Sequence, residues 1–281
     1  TTTAIELASQ DVVAKVLAKA GELPVLPQTA IKVMHELRTP GITVPRLIRL
    51  VELDPAMTVA VLRTANSAFY GAQAQLRDLK GAINSIGMKQ TRNLLYALVL
   101  KAQVADAEAY GNLGVEVFEH SLAVAFGTRL VADTAGVDVE DAFLCGILHD
   151  IGKLALAQAL RLDSEGQRRE LEAPDLSLIA DHHAETGALL ATKWGLPADV
   201  ANVIRYHHTF ESADAPQPTT ACVALANALC NELGLGGPAV VRGTFETASA
   251  AFVLKLNAEQ LGAIRTKLPA VVQPATAAFR G

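Results

Sequence analysis

Apolar residues recur along this chain with the period of a helix. Ala30, Val33, Met34 and Leu37 form an i, i+3, i+4, i+7 stripe, and Pro40-Gly41 ends it. Asp54-Pro55 predicts a helix start, an N-cap followed by a proline in the first turn. The helix it opens carries Val59, Leu62 and Arg63 towards Gly71, Asp78 caps a short helix closed by Gly87, and a longer one runs through Leu94, Leu95 and Leu98. Further helices are predicted over 115–135, 139–160, 176–193, 197–208 and 219–233, with another apolar helix around Ala248–Leu256. Thr1 to Gly21 reads as a first amphipathic helix. Residues 161–175, closed by Pro174, and 211–218 read as loops, and Gly234 to Pro238 as a break. No stretch sustains the alternation of a strand. The predicted class is all-α.

Composition sharpens this. Hydrophobic residues make up 51% of the 281 positions and aromatics 5%, so the core is built from Ala, Leu, Val and Ile, which favours helix. The formal charge of −5, without a long basic run, argues against a grip on nucleic acid. The longest apolar run noted at a helix centre, Leu94 to Leu100, is far short of the roughly 20 residues of a membrane span. The first residues lack a signal-peptide layout, and Cys145, Cys222 and Cys230 show no CxxC pairing. A soluble cytoplasmic protein with no membrane partner is expected.

The chemistry gathers in one region. Six of the seven histidines lie between positions 120 and 208: His120, His149, His182, His183, His207 and His208. His149 is followed directly by Asp150 in an apolar surrounding, and imidazole beside carboxylate is a good donor set for a divalent cation. Lys153, three residues on, shares a helix side with Asp150 and could reach an anionic substrate. Each residue alone has a plainer reading. A buried histidine commonly bonds a neighbouring helix, and Glu116 and Lys153 could form surface ion pairs of small energetic weight. His35 is assigned to ordinary hydrogen bonding, Cys145 to the core, and Arg63 and Asn66 to hydrogen bonds between two halves hinged at Ala109 to Gly114.

Ordered blocks carry a resemblance. Leu23-Pro24-Val25-Leu26-Pro27, Leu53-Asp54-Pro55-Ala56, Arg63-Thr64-Ala65-Asn66-Ser67-Ala68-Phe69-Tyr70-Gly71, Ala82-Ile83 through Ile86-Gly87 and Arg92-Asn93-Leu94 closely resemble the HDOD family. Gly146-Ile147-Leu148-His149-Asp150-Ile151-Gly152 and Trp194-Gly195-Leu196-Pro197 continue the match, over roughly residues 20–230. HDOD proteins are similar to the HD and HD-GYP metal-dependent phosphohydrolases and are generally regarded as bacterial regulatory modules. The resemblance implies an N-terminal helical lobe at 1–110 packed on an HD-like lobe at 111–233; the helices of 234–281 lie beyond it and are expected to pack on the HD-like lobe or to cover a partner surface. It also implies a metal site for Fe, Mn or Zn. His120, His149 and Asp150 match three HD ligands, while Asn227 stands where the family's later aspartate belongs, a neutral and weaker donor. His183, His207, His208 and Glu116 resemble the additional HD-GYP ligands, with His183 rather than His182 facing inward. Lys153 corresponds to a lysine near the substrate phosphate, but Thr209-Phe210-Glu211-Ser212 follows His208 in place of a Gly-Tyr-Pro element.

The function this implies is a regulatory module, without catalysis, that binds signalling proteins in trans or a small ligand such as a nucleotide or cyclic dinucleotide. With no sensor or receiver segment recognised, its signal is expected from a partner. The alternative is a metal-dependent phosphohydrolase acting on a nucleotide or cyclic dinucleotide, with a metal-activated water attacking phosphorus and Lys153 stabilising the developing charge.

Overall fold

A computed structural model describes residues 28–71, 75–105, 110–137, 141–161, 167–212, 218–237 and 244–280. The helix expected over Thr1 to Gly21, the block Leu23 to Pro27 and much of the two expected loops lie outside them. The described residues form helices and no strand. They run α1 (Gln28–Leu37), α2 (Val44–Val51), α3 (Pro55–Ala65), α4 (Leu79–Ile86), α5 (Met88–Val104), α6 (Asn112–Ala135) and α7 (Ala142–Leu148). Then follow α8 (Ile151–Leu160), α9 (Ala173–Lys193), α10 (Ala198–Tyr206), a 3₁₀ turn at Phe210–Ser212, α11 (Pro218–Glu232), α12 (Thr244–Val253) and α13 (Ala258–Arg280).

The helix starts rest on local chemistry. Asp54 Oδ1 accepts the amides of Ala56 and Met57, and Asp78 Oδ1 accepts that of Gly81, so orphan donors of α3 and α4 are satisfied. α3 stops at Ala65, short of Gly71. Asn66 is the reason: its Nδ2 donates to the carbonyls of Leu62 and Leu76, and its Oδ1 accepts the Leu76 amide. These bonds staple a local loop, so the expectation that Asn66 joins two halves of the chain is corrected. Pro174 sits in the first turn of α9, where its missing N–H costs nothing, so it opens a helix instead of closing a loop.

One continuous apolar core runs from Met34 in α1 to Phe279 in α13. The 24-residue α6 packs against α7, α11 and α13, while α8 packs on α9 and α9 on α10. Small residues set the closest approaches. A Cβ at Gly152 would stand 1.9 Å from the His183 carbonyl oxygen and 2.7 Å from the Gly187 nitrogen, so α8 and α9 meet backbone to backbone. A Cβ at Gly146 would stand 2.6 Å from the Ala125 Cα, which draws α7 against α6. His35 joins distant parts, its Nε2 lying 2.8 Å from the Trp194 carbonyl oxygen at the end of α9. Cys145, Cys222 and Cys230 are buried free thiols.

The single helix expected over 139–160 is two helices. α7 ends at Leu148 and α8 starts at Ile151, with Asp150 at φ −101°, ψ 9°, outside the helical well. Ala142–Leu160 as a whole is long and apolar enough to match a membrane span, but 83% of that window is buried inside the protein and it is broken at this step.

Candidate metal centre

The break between α7 and α8 builds the site. It turns His149 and Asp150 inward, and both are buried at 1% exposure or less. The Gly152 contact lays α9 against α8 and delivers His183, buried beside them. His207 and His208 follow the last residue of α10, His207 buried and His208 more open to solvent. α6 brings His120 and α11 brings Asn227.

Hydrogen bonds fix the orientation of three imidazoles. Each Nδ1–H donates to a backbone carbonyl of its own turn: His149 to Gly146 at 2.8 Å, His183 to Ala180 at 2.9 Å, His207 to Ile204 at 2.7 Å. These partners assign the ring proton to Nδ1, which leaves each Nε2 as a bare lone pair facing inward. His183 Nε2 then lies 3.3 Å from His207 Nε2, 3.2 Å from His208 Nε2 and 3.2 Å from Asp150 Oδ1. His149 Nε2 is 3.3 Å from Asp150 Oδ2. No proton separates the nitrogens of His183 and His207, so like-charged lone pairs face one another. A cation between them removes that repulsion, and ligands held about 2.0–2.1 Å from a tetrahedral ion stand about 3.3 Å apart.

Two atoms support the same fit. His149 Nε2 and Asp150 Oδ1 are buried without a hydrogen-bond partner, a costly state that a metal ligand relieves. Electrostatics keeps the donors in ligand form. Burial, partly opposed by Asp150, pushes the His120 imidazole down to about 4, and burial with its histidine neighbours pushes His207 well below its ordinary value. Burial raises the Asp150 carboxyl, but His149 and Lys153 outweigh it and hold it well below the usual carboxylate range. Lys153 Nζ donates to Asp150 Oδ2 at 2.6 Å. The donors fall into two groups able to hold an ion, His183 with His207 and His208, and His120 with His149 and Asp150.

The second group is altered at its edge. His120 Nε2 donates to Asn227 Oδ1 at 2.9 Å, and Asn231 Nδ2 donates to the same oxygen at 3.0 Å. Both lone pairs of the amide oxygen are therefore taken, and His120 spends its Nε2 on this bond. Asn231 was not singled out from the sequence; its signal is the spacing of one helical turn from Asn227. Glu116 is exposed and lines a cavity of about 330 Å³ that His120, Asp150, Lys153, His183 and Asn227 also line. His182 is half-buried beside the inward His183.

A sequence model of the HDOD domain matches residues 23–210. Among solved structures, the chain is similar to an HDOD domain protein of unknown function from Geobacter sulfurreducens, with TM-score 0.75 and 21% identity over 96% of this chain and 97% of that one. A protein from Shewanella amazonensis assigned by name as a metal-dependent phosphohydrolase gives TM-score 0.70 and 17% identity over 96% and 99%. Ribonuclease Y of Petrotoga mobilis is 30% identical over 150 residues, 53% of this chain and 24% of that protein. The chain spans less than half the length of the curated relatives it matches.

Proposed function

The chain belongs to the HDOD domain family, and we propose that it works as a regulatory module that retains a metal-binding HD site without efficient catalysis. The observation that carries this reading is Asn227. It replaces an anionic ligand by a neutral amide whose oxygen is already bonded by His120 and Asn231. One side of the donor cluster is thereby closed on itself. His149, Asp150, His183, His207 and His208 would hold a divalent ion such as Fe, Mn or Zn. When bound, such an ion supplies Lewis acidity and lowers the pKa of a water. Input and output run through signalling proteins in trans, or through a small ligand.

A second reading has its own observation. Lys153 lines the 330 Å³ cavity beside Asp150, where an ammonium can pair a phosphate oxygen, and relatives include a ribonuclease and a protein assigned as a phosphohydrolase. In that reading the chain is a metal-dependent phosphodiesterase acting on a nucleotide or cyclic dinucleotide, Lys153 releasing Asp150 to hold substrate.

Metal analysis after purification without chelator, paired with turnover assays on cyclic di-GMP and bis(4-nitrophenyl) phosphate, separates the two. The regulatory reading expects bound metal and background turnover even after reconstitution with Mn or Fe. Turnover that His149→Ala abolishes would overturn it.

A further inference from the structure

A second cavity lies away from the metal centre and shares no lining residue with the cavity beside it. Its volume is about 430 Å³, within the range of small-ligand sites. Residues 120 and 129 of α6 are nine positions apart, about half a turn out of phase, so His120 and Arg129 leave the helix on opposite faces.

The lining combines three aromatic rings, three aliphatic side chains and five polar or charged ones. Phe69 packs edge-on to Tyr70 with ring centroids 4.8 Å apart, and edge-on to Phe126 at 5.3 Å. Asn93 and Arg129 line the same cavity. Asn93 is 6% exposed and its Nδ2 has no hydrogen-bond acceptor, while Arg129 Nε is buried and equally unpartnered. Two buried donors without acceptors, beside aromatic rings, call for a ligand that brings acceptor atoms and a flat face. Arg129 and Asp133 also line an adjacent recess of about 270 Å³, to which Lys89 adds a second cation. The blocks 63–71, 82–87 and 92–94, which the metal centre leaves unused, supply Phe69, Tyr70, Ile86 and Asn93 to this one cavity.

We propose that this cavity binds a flat ring carrying an anionic group, of the size of a nucleoside monophosphate. The ring lies against Phe69 and Tyr70, the Asn93 amide donates to an acceptor on the ring edge, and the anion pairs with Arg129, with Lys89 within the neighbouring recess. Asp133 opposes the anion and limits the affinity. An aromatic carboxylate offers the same ring and charge, and the probes below distinguish the two sources.

The test is calorimetric titration of the full chain with AMP, GMP, 4-hydroxybenzoate and inorganic phosphate, backed by saturation-transfer NMR. At least one ring-bearing anion is expected to bind in the micromolar range and phosphate alone far more weakly. Arg129→Gln is expected to weaken that binding about tenfold or more, the loss of one charge-assisted contact. Asp133→Asn, at an exposed position, is expected to strengthen it a few-fold, a gain that misfolding cannot mimic. Three results overturn the proposal: no binding of any probe at millimolar concentration, binding indifferent to both substitutions, or phosphate binding as tightly as the ring-bearing anions. Binding that His149→Ala abolishes and Arg129→Gln spares overturns it as well, because it then belongs to the metal centre.

Discussion

His120, at one edge of the histidine cluster, differs from His149, His183 and His207 in where its proton sits. On the side of His183 and His207, each Nδ1–H is anchored to a carbonyl and each Nε2 is a free lone pair turned towards Asp150. On the side of His120, the Nε2 is a donor held by Asn227, and Asn227 is held by Asn231. The residue types are nearly the same, and the burial is similar. What separates them is Asn227, a neutral side chain whose oxygen accepts from both His120 and Asn231 and so ties the His120 Nε2 to the protein. Ligand identity alone therefore does not define a metal site; the hydrogen-bond partners of both ring nitrogens count as well.

The largest expected effect tests what both sides share. Asp150→Asn removes the anionic donor lying between the two groups, and metal affinity measured by competition with a chromogenic chelator should fall by more than the roughly 100-fold of an outer-shell loss. The next test goes to the comparison itself. His183→Gln should lower metal affinity by about 100-fold and His120→Gln only a few-fold; equal losses would break the distinction. Asn227→Asp should open the closed side, raising affinity about tenfold or adding a second equivalent by elemental analysis. Asn231→Leu, which frees one lone pair of Asn227, should move affinity by less than that.

Acid provides a milder probe in chelator-treated protein. An unfolded imidazole titrates near about 6.5, while burial holds His120 at about 4 and His207 well below its ordinary value. Between these values the unfolded chain binds more protons than the folded one, so stability rises with pH across that window. It is complete above about pH 6.5 and declines as pH falls towards 4. The melting temperature followed from pH 7 to 4.5 should drop accordingly, and His120→Gln should flatten part of that slope.

Much of the fold was legible. Asp54-Pro55 and Asp78 open helices as local capping rules require, and the apolar periods placed α1, α5, α6, α9, α10 and α11, while α2 and the extent of α13 were not marked by them. The structure gathers His120, His149, Asp150, His183, His207 and His208 into two neighbouring groups. Three further features escaped. The step at His149-Asp150 was hidden because the apolar period of Leu144 to Leu156 runs through it unbroken, and only the tertiary demand on Asp150 breaks the helix there. Asn231 carries only the spacing of one helical turn from Asn227, which gains meaning once the Asn227 side chain is oriented. The aromatic cavity required Phe69, Asn93 and Arg129, far apart in the chain, to meet.

Gly152 bears on how genetic data from this chain should be interpreted. It ligates nothing, yet no side chain fits where its hydrogen faces the His183 carbonyl and the Gly187 nitrogen. Even alanine there must pry α8 from α9 and carry His183 away from Asp150. In a saturation scan this glycine will score as intolerant as the buried histidines beside it, with loss of function at every substitution and no chemistry of its own. Dropout at position 152 is a report on clearance between two backbones, and only metal content measured on soluble variants will tell it apart from dropout at position 149.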